Sequence, residues 1–161
     1  MSQPRKTADQ WFAAYGESHQ DDTNELIHWI CVPTIFCCVL GLIWSVPVPA
    51  ALAGAAPWFN WTQPVALAVL LFYLRLSVPL AVGMFLFISA CYGLIEWHAA
   101  ALAPWPVWRT CLGLFVLAWI GQFIGHKIEG KKPSFLHDIV FLLIGPAWLM
   151  HFVYKKLGVR Y

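Results

Sequence analysis

The chain has 161 residues, 60% of them hydrophobic and only 11% charged, with a formal net charge of +2. Soluble domains carry about 25% charged residues, so the composition excludes an ordinary soluble globular protein. The small net charge, with no basic cluster interleaved by aromatics, excludes a nucleic-acid binder. The expected fold class is an all-α integral membrane protein, one membrane domain over 1–161, with a mean hydropathy of +0.66. Ten Trp and five Tyr suit the aromatic belts of a membrane–water interface.

Residues 7–18 read as a short amphipathic surface helix, with Trp11, Phe12 and Tyr15 near one face at helical spacing. Asp21-Asp22-Thr23 interrupts it. Asp22 followed by Glu25 has the spacing of a helix cap and its partner, so a second helix is expected from Thr23. Residues 27–46 carry no charge and have the length a bilayer core needs, with Pro33 expected to kink the span and Pro47-Val48-Pro49 ending it. Residues 50–62 read as an interfacial loop. Pro64 opens a second span, 64–75, at a favoured first-turn position. The third span is 79–102, Pro104-Trp105-Pro106 is a turn, and the fourth span is 108–125. Residues 135–157, with Ser134 as a cap, form a last helical segment expected to break at Gly145-Pro146. Each half is too short to cross alone, which favours a re-entrant or interfacial hairpin over a fifth span.

If the four spans alternate, Arg5, Lys6, Arg75 and the Lys127, Lys131 and Lys132 cluster fall on one side. The positive-inside rule makes that side cytoplasmic. The N-terminus lacks the basic-then-apolar pattern of a signal peptide, so the first span is expected to be retained. The five cysteines lie in apolar runs without C-x-x-C spacing and read as buried thiols.

This topology brings distant histidines to one membrane depth. His19 and His28 lie at the cytoplasmic entrance of the first span, and His126 at the cytoplasmic end of the fourth. On one continuous helix, His19 and His28 would point to opposite faces; the break at Asp21-Asp22 lets two helices aim both inward. Asn24, one turn before His28, is placed to hydrogen-bond a ligand imidazole or a bound water. His126 and Glu129 share a helix face at a spacing that carboxylate-bridged metal sites use in reverse order. Together they offer three imidazoles and a carboxylate, a set that suits iron, manganese or zinc. The plainer alternatives are solvated polar residues at a helix entrance and a Glu129 that neutralises the lysine cluster. His137 is a candidate further imidazole, and Asp138 suits a helix N-terminus whatever the function. His98 falls at the opposite membrane face, and His151 reads as a packed histidine. No nucleophile elbow, P-loop or dinucleotide fingerprint is present.

The pattern Tyr15-x-x-x-His19-x-x-x-x-Asn24-x-x-x-His28-x-x-x-x-Pro33, followed by Gln122-Phe123-Ile124-Gly125-His126 with Glu129 and Lys131-Lys132-Pro133, resembles a known family. It is that of the membrane 2-hydroxy fatty acid dioxygenases of fungal phytosphingosine alpha-oxidation and their bacterial homologues. The resemblance covers nearly the whole chain. It implies an Fe(II)-dependent oxygenase that uses O2, needs no 2-oxoglutarate and shortens a 2-hydroxy fatty acid by one carbon. Its essential histidines fall on His19, His28 and His126, with Glu129 or His137 as candidate additional ligands and Tyr15 and Asn24 beside the site. Zinc is an alternative ion for a purified sample. Lys131 and Lys132 are candidates for attracting the acid head group of a lipid-like substrate, or act simply as membrane anchors. The implied location is a bacterial inner membrane, with the site on the cytoplasmic side. Two competing classes are a non-enzymatic membrane scaffold, with a structural metal or none, and a transporter. The transporter lacks the charged residue deep in a span that a pathway would need.

Overall fold

The computed structural model describes residues 6–136 and 139–161. His137 and Asp138, and Arg5 of the charge argument, lie outside the described residues. The described chain is helical: α1 (Ala8–Gly16), α2 (Asp22–Trp44), α3 (Ala50–Ala55), α4 (Thr62–Leu76), α5 (Val78–Ala101), α6 (Val107–Glu129), a 3-10 turn (Ser134–Leu136) and α7 (Phe141–Leu157). Among the described residues, α2, α5 and α6 are long and apolar enough to cross a membrane. Helix α4 is apolar but has only 15 residues, about 22 Å at the helical rise. The short α3 lies inside the stretch expected to be a loop.

Local chemistry sets the helix ends. Thr7 and Gln10 form a reciprocal capping box on α1. For α2 the cap is Asp21, one residue before the expected Asp22, and its carboxylate accepts from the N–H groups of Thr23 and Asn24. Pro33 stays inside α2 without ending it. Helix α6 ends at Gly130, whose φ of 72° lets its N–H and that of Lys131 return to the carbonyls of Lys127 and His126. A side chain with a Cβ adopts that conformation rarely.

Glycines bring α2 and α6 together. An added Cβ at Gly121 would sit 2.7 Å from Cys31 Sγ, one at Gly125 would overlap Asn24 Oδ1, and one at Gly41 would overlap Cys111 Sγ. Apolar helices gain nothing by leaving lipid for one another, so close backbone approach through small residues is what holds such pairs together. This seam carries His28 on α2 and His126 on α6.

The last helix differs from expectation. It runs unbroken through Gly145-Pro146, so the hairpin does not form. Gly145 instead makes room for Tyr15: a Cβ there would lie 2.9 Å from the Tyr15 hydroxyl. Tyr73, near the end of α4, donates to the Leu143 carbonyl at 2.7 Å. Tyr154 donates to the carbonyl of Pro79, near the start of α5, at 2.5 Å. Helix α7 is thereby tied, near both its ends, to the end of the bundle where the histidines lie, and packs against α1 through Tyr15, Phe12 and Trp148. Ser134, expected to cap this helix, pairs its hydroxyl with Ser18 at 2.6 Å instead.

Two glycines of α6 make the seam testable. Gly125→Ala is expected to cost about 1–3 kcal/mol by overpacking. Gly113→Ala, where nothing lies within 4 Å of the added carbon, should be neutral or stabilising by up to about 1 kcal/mol. Denaturation of the purified protein in detergent separates the two, and equal losses would count against the seam.

Candidate metal centre

His19, His28 and His126 meet at this end of the bundle, and one ring nitrogen from each lies within 4.8 Å of the others. Ring centroids are 4.2 Å apart for His19 and His28, 5.0 Å for His19 and His126, and 4.9 Å for His28 and His126. All three are buried, His28 to 1% exposure. Among the described residues this is the one cluster of histidine, cysteine or carboxylate groups with ligand-like convergence.

The backbone sets the tautomers. His19 Nδ1 lies 2.6 Å from the Tyr15 carbonyl, and His28 Nδ1 lies 2.8 Å from the Asn24 carbonyl. A carbonyl only accepts, so each Nδ1 carries the proton and each Nε2 a lone pair. Both Nε2 atoms are buried and have no hydrogen-bond partner, and His126 Nδ1 is likewise buried and unpartnered. An unsatisfied buried polar atom costs about 1–3 kcal/mol; three in one cluster is the pattern a bound cation would relieve. Burial pushes the His19 imidazole down to about 4, against the raising effect of its bond to Tyr15. It is therefore neutral near pH 7, the form that coordinates metal. Fixing a ligand imidazole through its other nitrogen is the usual support of a metal site.

The short segment between α1 and α2 holds His19 in place through contacts with the end of α6. The Glu129 carboxylate accepts from the N–H of Gln20 at 3.0 Å, the N–H of Asp21 at 2.8 Å and the side-chain amide of Asn24 at 3.3 Å. The same Asn24 amide donates to the Ser18 carbonyl at 3.1 Å. Lys131 donates from Nζ to the Glu17 carbonyl. Tyr15 stacks on His19 with ring centroids 4.1 Å apart, and Trp148 lies 5.4 Å from His19.

Several expected roles change accordingly. Glu129 is not one of the converging ligand groups: its carboxylate is directed to the 20–24 corner. Both Lys131 and Lys132 are exposed, and Lys131 donates to the Glu17 carbonyl. Asn24 does support a histidine, but through its main-chain carbonyl. Tyr15 supports His19 through both its carbonyl and its ring. His98 lies away from the cluster, with Nε2 2.8 Å from Thr110 Oγ1 at the α5–α6 turn. His151 packs on Phe12 and pairs with the Tyr161 hydroxyl. Ser18, Trp148 and Gln122 were not singled out from sequence. Gln122 stood within the quoted motif, one turn before His126, but carried no charge to mark it.

A cavity of about 480 Å³ adjoins the cluster. Tyr15, Gln122, His126 and Ser134 contribute its polar groups, and most of the remaining wall is apolar side chains of α2, α4, α6 and the start of α7.

Fold and site define a class: an all-helical, membrane-type chain with a buried three-histidine cluster at one end of its bundle. Residues 5–157 match the model of the Mpo1-like family, described as 2-hydroxy-palmitic acid dioxygenase Mpo1-like, and the chain belongs to that family. It is also similar to the 2-hydroxy-palmitic acid dioxygenase MPO1 of Saccharomyces cerevisiae. The two are 29% identical over 144 residues, covering 87% of this chain and 75% of the yeast protein. No solved structure matches the chain.

Glu129→Ala removes the acceptor for two backbone N–H groups and the Asn24 amide while leaving all three imidazoles. Metal affinity should fall about 10–100-fold, as for other supporting groups, whereas removing a histidine should abolish tight binding. Competition with a chelator of known affinity measures the difference, and unchanged affinity would deny Glu129 this role.

Proposed function

We propose that the chain is an Fe(II)-dependent, 2-oxoglutarate-independent dioxygenase that shortens a 2-hydroxy fatty acid by one carbon. His19, His28 and His126 hold the metal at the cytoplasmic membrane face. The observation that carries this reading is the convergence of three buried imidazoles with bare ring nitrogens in a member of a family described by that activity. The donor set fits the ion: neutral imidazoles suit iron, zinc and copper, and no described cysteine joins the cluster. Iron, when bound, would supply the site for O2 and for the oxygens of the substrate. One O2 per 2-hydroxy acid balances to the acid one carbon shorter, carbon dioxide and water. The substrate thus supplies all the electrons, and no second reductant is needed.

The chain's own residues do the remaining work. The carbonyls of Tyr15 and Asn24 hold the first two imidazoles in their coordinating tautomer. The Tyr15 ring, stacked on His19, and Trp148 beside it shield that side of the cluster from water. The Glu129 clamp keeps His19 from swinging away with its loop. The adjoining cavity offers an apolar approach to His126 from within the bundle, suited to a lipid-like substrate. Lys132 remains the candidate for attracting the acid head group, since Lys131 is engaged by Glu17.

Elemental analysis together with oxygen consumption tests the reading. Wild-type protein reconstituted anaerobically is expected to hold close to one iron per chain and to consume O2 with a 2-hydroxy fatty acid. Protein purified in air is expected to hold zinc in part. His19→Ala, His28→Ala and His126→Ala should each lose the metal and the oxygen uptake. Metal content unchanged in all three would refute the site. Stoichiometric metal without oxygen uptake would favour a structural centre in a non-enzymatic protein. The same assay on His137→Ala decides whether that residue is a fourth ligand.

A further inference from the structure

Besides His126, the cavity holds a second polar side chain with an unpartnered nitrogen. Gln122 is 6% exposed, and its Nε2 has no hydrogen-bond partner. It lies one turn before His126 on α6, so both side chains share a helix face, and both line the cavity. An amide N–H donor buried among apolar groups costs free energy unless it is satisfied. On the same helix, α6 approaches α2 closely at Gly121 and Gly125.

The shape of the cavity indicates what satisfies it. Its lining runs from Gln122 and His126 to Leu40 of α2, twelve residues along that helix from His28, and Val65 of α4. Those two lie together, because Thr62, one turn before Val65, donates to the Leu40 carbonyl at 3.2 Å. From Val32 to Leu40 on α2, and from Phe115 to His126 on α6, the wall runs for roughly 12–16 Å at the helical rise. An extended chain covers about 1.2 Å per bond, by the geometry that gives a peptide about 3.6 Å per residue. The wall therefore accommodates roughly ten to thirteen carbons in line. The volume of about 480 Å³ is in the range of small-ligand sites, roughly 300–1,000 Å³.

We propose that this cavity is a single-chain acyl site, with Gln122 donating from Nε2 to a carboxylate oxygen of the fatty acid and with Leu40 and Val65 limiting chain length. The proposal rests on the dioxygenase reading for the head-group chemistry, but the cavity and its donor stand on their own geometry. Gln122 is a positioning residue for the substrate, distinct from the three histidines.

The experiment uses full-length, iron-loaded protein in nanodiscs under anaerobic conditions, titrated with 2-hydroxy acids of eight and twelve carbons and with the methyl ester of the longer one. Metal content is measured alongside. Gln122→Leu keeps the side-chain bulk and removes the donor. It should retain its iron, weaken binding of both acids about tenfold and leave the ester nearly unchanged, and in air it should raise KM more than it lowers kcat. Leu40→Trp should weaken the twelve-carbon acid about tenfold while sparing the eight-carbon one. Val65→Phe probes the same end from α4 if Leu40→Trp does not fold. Unchanged acid binding in Gln122→Leu, or loss of its iron, overturns the head-group assignment. Equal effects on both chain lengths overturn the chain-length limit. Wild-type protein that binds the acids with these dependences but consumes no O2 would sink the dioxygenase reading and leave the acyl site standing. If it binds neither acid, the acyl site itself falls.

Discussion

The close approach of α2 and α6 is the constraint on which the rest depends. In an apolar bundle nothing pulls helices out of lipid except the quality of their contact, and here that contact is made where Gly121 and Gly125 admit Cys31 and Asn24. The same seam places His28 opposite His126. A larger residue at Gly125 would displace the Asn24 amide, which ties Glu129 to the Ser18 carbonyl. Packing and the polar network are thus one feature rather than two.

Around that seam, the polar groups at this end of the bundle are mostly satisfied. Glu129 serves the N–H groups of the corner between α1 and α2, Lys131 serves Glu17, and Ser18 pairs with Ser134. Against this background the exceptions stand out. Among the described residues, the buried polar atoms without a partner are a nitrogen on each of the three clustered histidines and on Gln122, together with Asn24 Oδ1 and the distant His98 Nδ1. A fold that satisfies most of its surroundings yet leaves bare nitrogens on three clustered histidines and on Gln122, the last lining the cavity with His126, is organised for an occupant, because an unsatisfied buried group is costly.

Much of this was legible in the sequence. The uncharged runs gave the long helices, and alternation of the spans brought His126 to the level of His19 and His28. The resemblance carried by the two motif blocks agrees with the family the chain belongs to. What misled was punctuation. Gly145-Pro146 read as a break, but it marks the close approach of Tyr15. Asp21 rather than Asp22 caps α2, because its carboxylate reaches the N–H groups of Thr23 and Asn24. Glu129 shared a face with His126, as spacing required, but the backbone donors of Gln20 and Asp21 are what its carboxylate meets. The Gly121-x-x-x-Gly125 spacing was a readable sign of helix contact in an apolar segment. Gln122 gave no such sign, since its importance lies in a missing partner, which only the folded surroundings reveal.

X-ray absorption at the iron edge of the anaerobically reconstituted protein is the most direct test of the central claim. Three imidazoles should contribute the multiple-scattering pattern of histidine ligation, with oxygen ligands filling the remaining positions. Each single histidine variant should either lose the metal or show that pattern reduced. A coordination shell of oxygen ligands alone, or a shell indifferent to the replacement of His19, His28 and His126, would contradict the account.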